Sequence, residues 1–162
     1  MPPADALWAG DAAAVSRYLQ IRALIHDHYL PRVEKLIQSR YVVRPAQGIT
    51  STLVSHVRGG FLRPGEGELW PVIFTTMVDI SVALCVQLSD ERVANLGTMI
   101  NGPQRIRHRG WEDWWGWERP IGHLHPEFFG LSPELQEDAL IHWYLEGCEW
   151  LAGSGLLRRQ SR

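Results

Sequence analysis

Four tryptophans fall within seven residues, Trp111, Trp114, Trp115 and Trp117. No single apolar surface buries all of them. On a helix the first three share an arc of about 100° and Trp117 lies about 60° beyond it; on a strand Trp111, Trp115 and Trp117 share one face and Trp114 takes the other. Each indole carries roughly 200 Å². The segment therefore needs two layers of its own domain around it, or a partner that covers what one layer leaves. Together the four rings approach the ~800 Å² that one side of a standard protein interface buries. Arg105, Arg107, His108 and Arg109 precede them, which makes Trp111, Trp114, Trp115, Trp117, Arg107 and Arg109 the candidate partner-binding residues.

The rest of the chain must supply the layers. Residues 11–38 carry Val15, Tyr18, Leu19, Ile25, Tyr29, Val33, Leu36 and Ile37 at spacings of three and four, an amphipathic helix with Asp11 as its N-cap. Pro31 removes a backbone donor and crowds the preceding turn, which predicts a kink or a break near Leu30. Residues 49–57 are rich in β-branched side chains. Further on, Ile80, Val82, Leu84, Val86 and Leu88 alternate with Ser81, Ala83, Cys85 and Gln87, the period of a strand. A helix over 72–88 is the competing reading, because a buried apolar run is ambiguous by period alone. Gly59, Gly60, Pro64, Gly65 and Gly67 mark turns in between.

Near the C-terminus, Ser132, Pro133 and Glu134 form a cap, a first helical proline and a first-turn acid. Leu140, Ile141, Tyr144, Leu145, Cys148 and Leu151 follow as one apolar face, with Gly153 or Gly155 as the stop. A long N-terminal helix, central antiparallel strands and a C-terminal helix make an α+β fold. One domain over residues 1–157 and a basic tail over 158–162 are expected.

Composition narrows the classes. A chain of 162 residues, 45% hydrophobic and 21% charged, has the size and make-up of one ordinary globular domain. A net charge of -2 excludes a globally basic nucleic-acid binder. Fifteen of the sixteen basic residues are arginine, which reads as codon usage in a GC-rich genome. Residues 111–157 hold one Arg against nine Asp and Glu, so this third is expected to meet a basic partner or the protein's own basic face. Cys85 and Cys148 lie in apolar stretches with no CxxC, which fits a reducing cytoplasm better than a disulfide framework. Residues 1–19 lack the basic start of a signal peptide. The one apolar run near membrane length, 70–88, has Asp79 at its centre, which costs about 3 kcal/mol in a bilayer, so no membrane span is expected.

Chemistry-bearing patterns are few. If residues 123–127 are extended, His123, His125 and Glu127 project to one side as a two-imidazole, one-carboxylate metal set, to which His142 would add. Asp138, His142 and Glu146 follow one another at i, i+4, the spacing of a ligand face and equally of a solvated one. His26 and His28 stand two apart on a helix and do not converge. No P-loop, GxGxxG or GxSxG occurs. The leading expectation is a non-enzymatic interaction or assembly subunit that needs no cofactor and uses the tryptophan segment and the acidic third as its contact surface. The alternatives are a small metal-dependent enzyme at 123–127 and a carbohydrate-binding module built on tryptophan platforms.

Overall fold

The alternation at residues 80–88 folds as a strand. In the computed structural model, which describes residues 12–46, 50–51, 54–76, 79–96 and 104–161, strand β6 (Ile80–Val86) pairs along its length with the antiparallel strand β5 (Gly67–Thr75). The 70–88 run thus supplies two antiparallel paired strands, and no described helix is long and apolar enough to cross a membrane. Period two identifies Ile80, Val82, Leu84 and Val86 as one buried face. Ser81, Ala83 and Cys85 on the other face are buried as well, so β6 is covered from both sides.

Short strands extend the sheet: β1 (Arg44–Pro45), β2 (Thr50–Ser51), β3 (Ser55–Val57), β4 (Phe61–Arg63), β7 (Gln104–Arg105) and β8 (Trp115–Pro120). Their order is β1-β4-β5-β6-β8-β7, with β3 also on β5 and β2 on β3, all antiparallel. The stretch at 49–57, expected as one strand, instead holds two that pair with each other, Thr50 opposite Val57 and Ser51 opposite His56; residues 49, 52 and 53 lie outside the described residues. Propensity marks such residues as strand formers but does not say where a strand turns back. Pro71 sits within β5 at the point where β5 changes neighbour, from β4 (residues 67–69) to β3 (residues 72–74). There a missing N–H disturbs no continuous ladder.

The N-terminal helical pattern becomes α1 (Ala12–Leu24), a π turn (Ile25–Tyr29) and α2 (Leu30–Arg40). The helix is interrupted near Leu30 as expected, α1 passing through the π turn into α2, whose first turn holds Pro31. The proline lacks the N–H that would reach back to Asp27, and widening the turn so that Leu30 N–H bonds to Ile25 O accommodates the ring. The additional residue in that turn also shifts the phase of the apolar stripe. Ile21, Ile25, Tyr29, Leu30, Val33 and Ile37 are buried, whereas Leu19 is exposed, against expectation. The Asp11 cap lies outside the described residues.

Two short elements follow the sheet strands, α3 (Asp90–Leu96) and α4 (Ile121–Leu124), the latter leading into a 3-10 turn (Pro126–Gly130). Helix α5 (Pro133–Gly153) starts as expected, with the Ser132 hydroxyl accepting from Leu135 N at 3.4 Å, and Gly155, at φ +75°, follows its end. Leu140, Tyr144, Cys148 and Leu151 of α5 join the N-terminal helices over Leu69, Ile73, Val82 and Leu84 to form the main core. Tyr144 donates to Val72 O at 2.8 Å, which ties α5 to β5. Residues 158–160 are held by the fold: Val42 N donates to Arg158 O at 2.7 Å, Gln160 N donates to Arg40 O at 2.8 Å, and Arg159 pairs with Glu149.

Candidate functional site

The helices cover only one face of the sheet. On the other face, Val57, Trp70, Val72, Phe74, Ala83 and Cys85 form a second buried cluster with Ile106 and Trp111, against which Trp114 packs. The cover is the connection from β7 to β8, closed by a hydrogen bond from Ile106 N to Trp114 O of 2.8 Å. His108 fastens it. Its ring stacks on Phe74 with centroids 3.9 Å apart, and its Nε2 donates to the Glu118 carboxylate at 2.9 and 3.0 Å. Phe74 meets Trp111 edge-on at 5.9 Å, and Trp111 meets Trp114 at 4.9 Å.

The four tryptophans are therefore divided between the two faces of the sheet. Trp115 and Trp117, alternate residues of β8 opposite Val86 and Leu84, pack on the helix-side core. Trp111 and Trp114 precede the strand and fold over the outer face. The strand rule holds for Trp115 with Trp117; Trp111 departs from it because the chain turns at residues 108–114 before β8 begins. Trp111 is buried, at 9% exposure, and the other three are half-buried.

Beside Trp111 the outer cover leaves an open cleft of about 240 Å³, lined by Ser55, Val57, Glu68, Trp70, Arg109, Gly110, Trp111 and Trp114. Three of its eight lining residues are tryptophans. Glu68 is engaged: its Oε2 accepts from Trp70 Nε1 at 2.8 Å. Arg109 is exposed and makes no hydrogen bond or ion pair among the described residues; the nearby acid Glu112 accepts instead from Gly110 N at 3.0 Å. Arg107 is likewise exposed, outside the cleft lining. Asp113 lines an adjoining depression on the far side of Trp114. Sequence reasoning missed Trp70 and Glu68, although their spacing of two in a strand puts them on one face.

The histidines of the metal alternative diverge. The His123 imidazole stands 3.7 Å from the carboxylate of Asp79, whose main role is to cap α4 by accepting from Gly122 N at 2.5 Å and His123 N at 3.2 Å. His125 stacks on Trp143 with centroids 4.5 Å apart, and its Nε2 accepts from Arg119 at 3.3 Å, which occupies the lone pair a metal would need. Glu127 is exposed, 3.5 Å from His125, and His142 is exposed on α5 beside Glu146 at 3.8 Å. Among the described residues, no group of three or more His, Cys, Asp or Glu is placed to hold a metal.

Tertiary structure makes a different histidine pair. His26, in the π turn, meets His56 of β3 edge to face at 4.0 Å, while its Nδ1 donates to Asp27 at 2.7 Å. Burial, with His26 and Arg22 nearby, holds the His56 pKa below the usual imidazole range. Glu34 lies in the same neighbourhood, with its carboxyl pushed up by burial against the opposing pull of Arg58 and His26. Its Oε1 is buried with no hydrogen-bond partner among the described residues, and Arg58 Nε stands 3.9 Å from Oε2.

Four of the nine acids in residues 111–157 are closely paired with the protein's own cations. Glu137 pairs with Arg32 at 2.6 Å, Glu146 with Arg119, Glu149 with Arg159, and Glu118 with His108. A cavity of about 550 Å³ beside Tyr41, Glu149 and Arg159 is polar, and Tyr41 donates to Glu149 there at 3.0 Å. Both cysteines are buried, and burial raises their thiol pKa values, so neither is poised as a nucleophile. Compared with protein-family models, curated proteins and solved structures, the chain matches none.

Proposed function

We propose that the protein is a non-enzymatic interaction subunit whose contact surface is the outer face of the sheet, centred on Trp114, Trp111 and Trp70. The observation that carries this reading is the open indole-lined cleft of about 240 Å³ under the 106–114 connection. A concave apolar patch with an aromatic wall and a polar rim is the usual anatomy of a binding hot spot, since it desolvates an inserted side chain completely. The rest of the tryptophan segment supports this narrower surface, because Trp115 and Trp117 already pack on the protein's own core. The acidic third supports it too: the carboxylates of Glu137, Glu146 and Glu149 are taken by arginines of the same chain.

A displayed random-peptide library tests the proposal. Selection on the full chain should enrich peptides sharing a large apolar or aromatic residue, and their binding should fall at least about tenfold in Trp114→Ala while the variant stays folded. Peptides without a common apolar residue, or binding indifferent to Trp114→Ala, would overturn it.

A further inference from the structure

We infer that the segment bound in the cleft carries an aromatic or large apolar side chain next to a carboxylate, the apolar group lying between Trp70 and Trp114 and the acid on Arg109; this rests on the contact surface proposed above. The cleft has one cation and one acid in its described lining. The acid, Glu68, is held by the Trp70 indole N–H. The cation, Arg109, has no hydrogen bond or ion pair among the described residues, and Arg107 on the same connection has none either.

The other charged groups of this face are engaged or turned aside. His108 is paired with Glu118, Arg105 donates to Glu112 O at 2.9 Å, the Glu112 carboxylate accepts from Gly110 N at 3.0 Å and attracts Arg109 only from beyond ion-pair distance, and Asp113 lines the neighbouring depression. What the cleft offers an incoming group is thus an apolar wall of indoles with an unpaired guanidinium at its lip. Guanidinium forks match carboxylates, and the low-dielectric wall of indoles strengthens the pair relative to one in open water. A lysine in the same place on the ligand would meet Arg109 as a like charge.

The probes are blocked pentapeptides, Gly-Asp-Phe-Asp-Gly, its alanine counterpart Gly-Asp-Ala-Asp-Gly, and Gly-Lys-Phe-Lys-Gly, titrated into the full chain with its indole nitrogens labelled. The acidic phenylalanine peptide should shift the Trp70, Trp111 and Trp114 resonances saturably. The alanine peptide should not, and the lysine peptide should bind at least about fivefold more weakly. Arg109→Glu should reverse that order, while Arg107→Glu, the same charge change outside the cleft lining, should preserve it. Equal binding of the acidic and basic phenylalanine peptides would overturn the carboxylate inference and leave the contact surface standing. No shift with any peptide would overturn both, as would a disaccharide that moves the same three indoles when the peptides do not.

Discussion

The indole of Trp117 packs against Gly147, so that a Cβ built on Gly147 would stand 2.6 Å from Trp117 Cε3 and 3.0 Å from a methyl of Leu84. A glycine in mid-helix is unfavourable by about 1 kcal/mol relative to alanine. Here it opens the notch through which β8 reaches α5. Gly147→Ala should therefore destabilise the fold by about 1 to 3 kcal/mol, because overpacking outweighs the gain in helix propensity. Chemical denaturation followed by tryptophan fluorescence reads this directly, and a stabilised variant would show that the notch is not required.

The two outer tryptophans should separate by stability. Trp111 is buried against Phe74 and Trp114, so Trp111→Ala should cost about 3 to 5 kcal/mol. Trp114 is half-buried at the cleft, so Trp114→Ala should cost clearly less stability while losing about 2 kcal/mol or more of binding. Thermal melts of the two variants, set beside their affinity for selected peptides, provide the comparison.

Glu34 and His56 give opposite dependences on pH. Burial raises the Glu34 pKa above the ordinary carboxylate range, so the folded state holds the proton more tightly and ionisation of Glu34 weakens the fold as pH rises through its folded pKa. Glu34→Gln should accordingly melt higher than the parent at pH 7, with the advantage vanishing below about pH 4.5. The His56 pKa is lowered from 6.5, so its contribution is intact above that value and declines as pH falls below it. His56→Gln should flatten the loss of stability between about pH 6.5 and pH 5. Melting temperatures measured across pH 4 to 8 check both signs.

Asp79 should matter through its cap. Its carboxylate accepts from Ile80 N at 2.7 Å as well as from the two amides that open α4. Asp79→Ala leaves those buried donors unmet and should cost about 1 to 3 kcal/mol. His123→Ala, at an exposed ring, should cost little. Urea midpoints for the two variants decide whether the carboxylate or the imidazole is the structural partner.

Local pattern was enough to assign an element type where a period was long and punctuated. The alternation of residues 80–88, the Ser132-Pro133 start of α5 and its glycine stop were readable because each local signal agreed with the burial the fold later imposed. The conflict among the four tryptophans was also readable, since the geometry of helices and strands forbids one face for them all. Which side each ring took was decided only in three dimensions. Trp111 and Trp114 lie on the outer face because the chain turns at residues 108–114, and that turn is fixed by His108 on Phe74 and Glu118, partners from two different strands. The same holds for the cleft, where Trp70 of β5 meets Trp114 of the β7–β8 connection, and for His26 beside His56. Spacing along a chain reports which residues share a face of one element. Which faces meet depends on strand order and on the path of the connections, and no periodicity within one element encodes either.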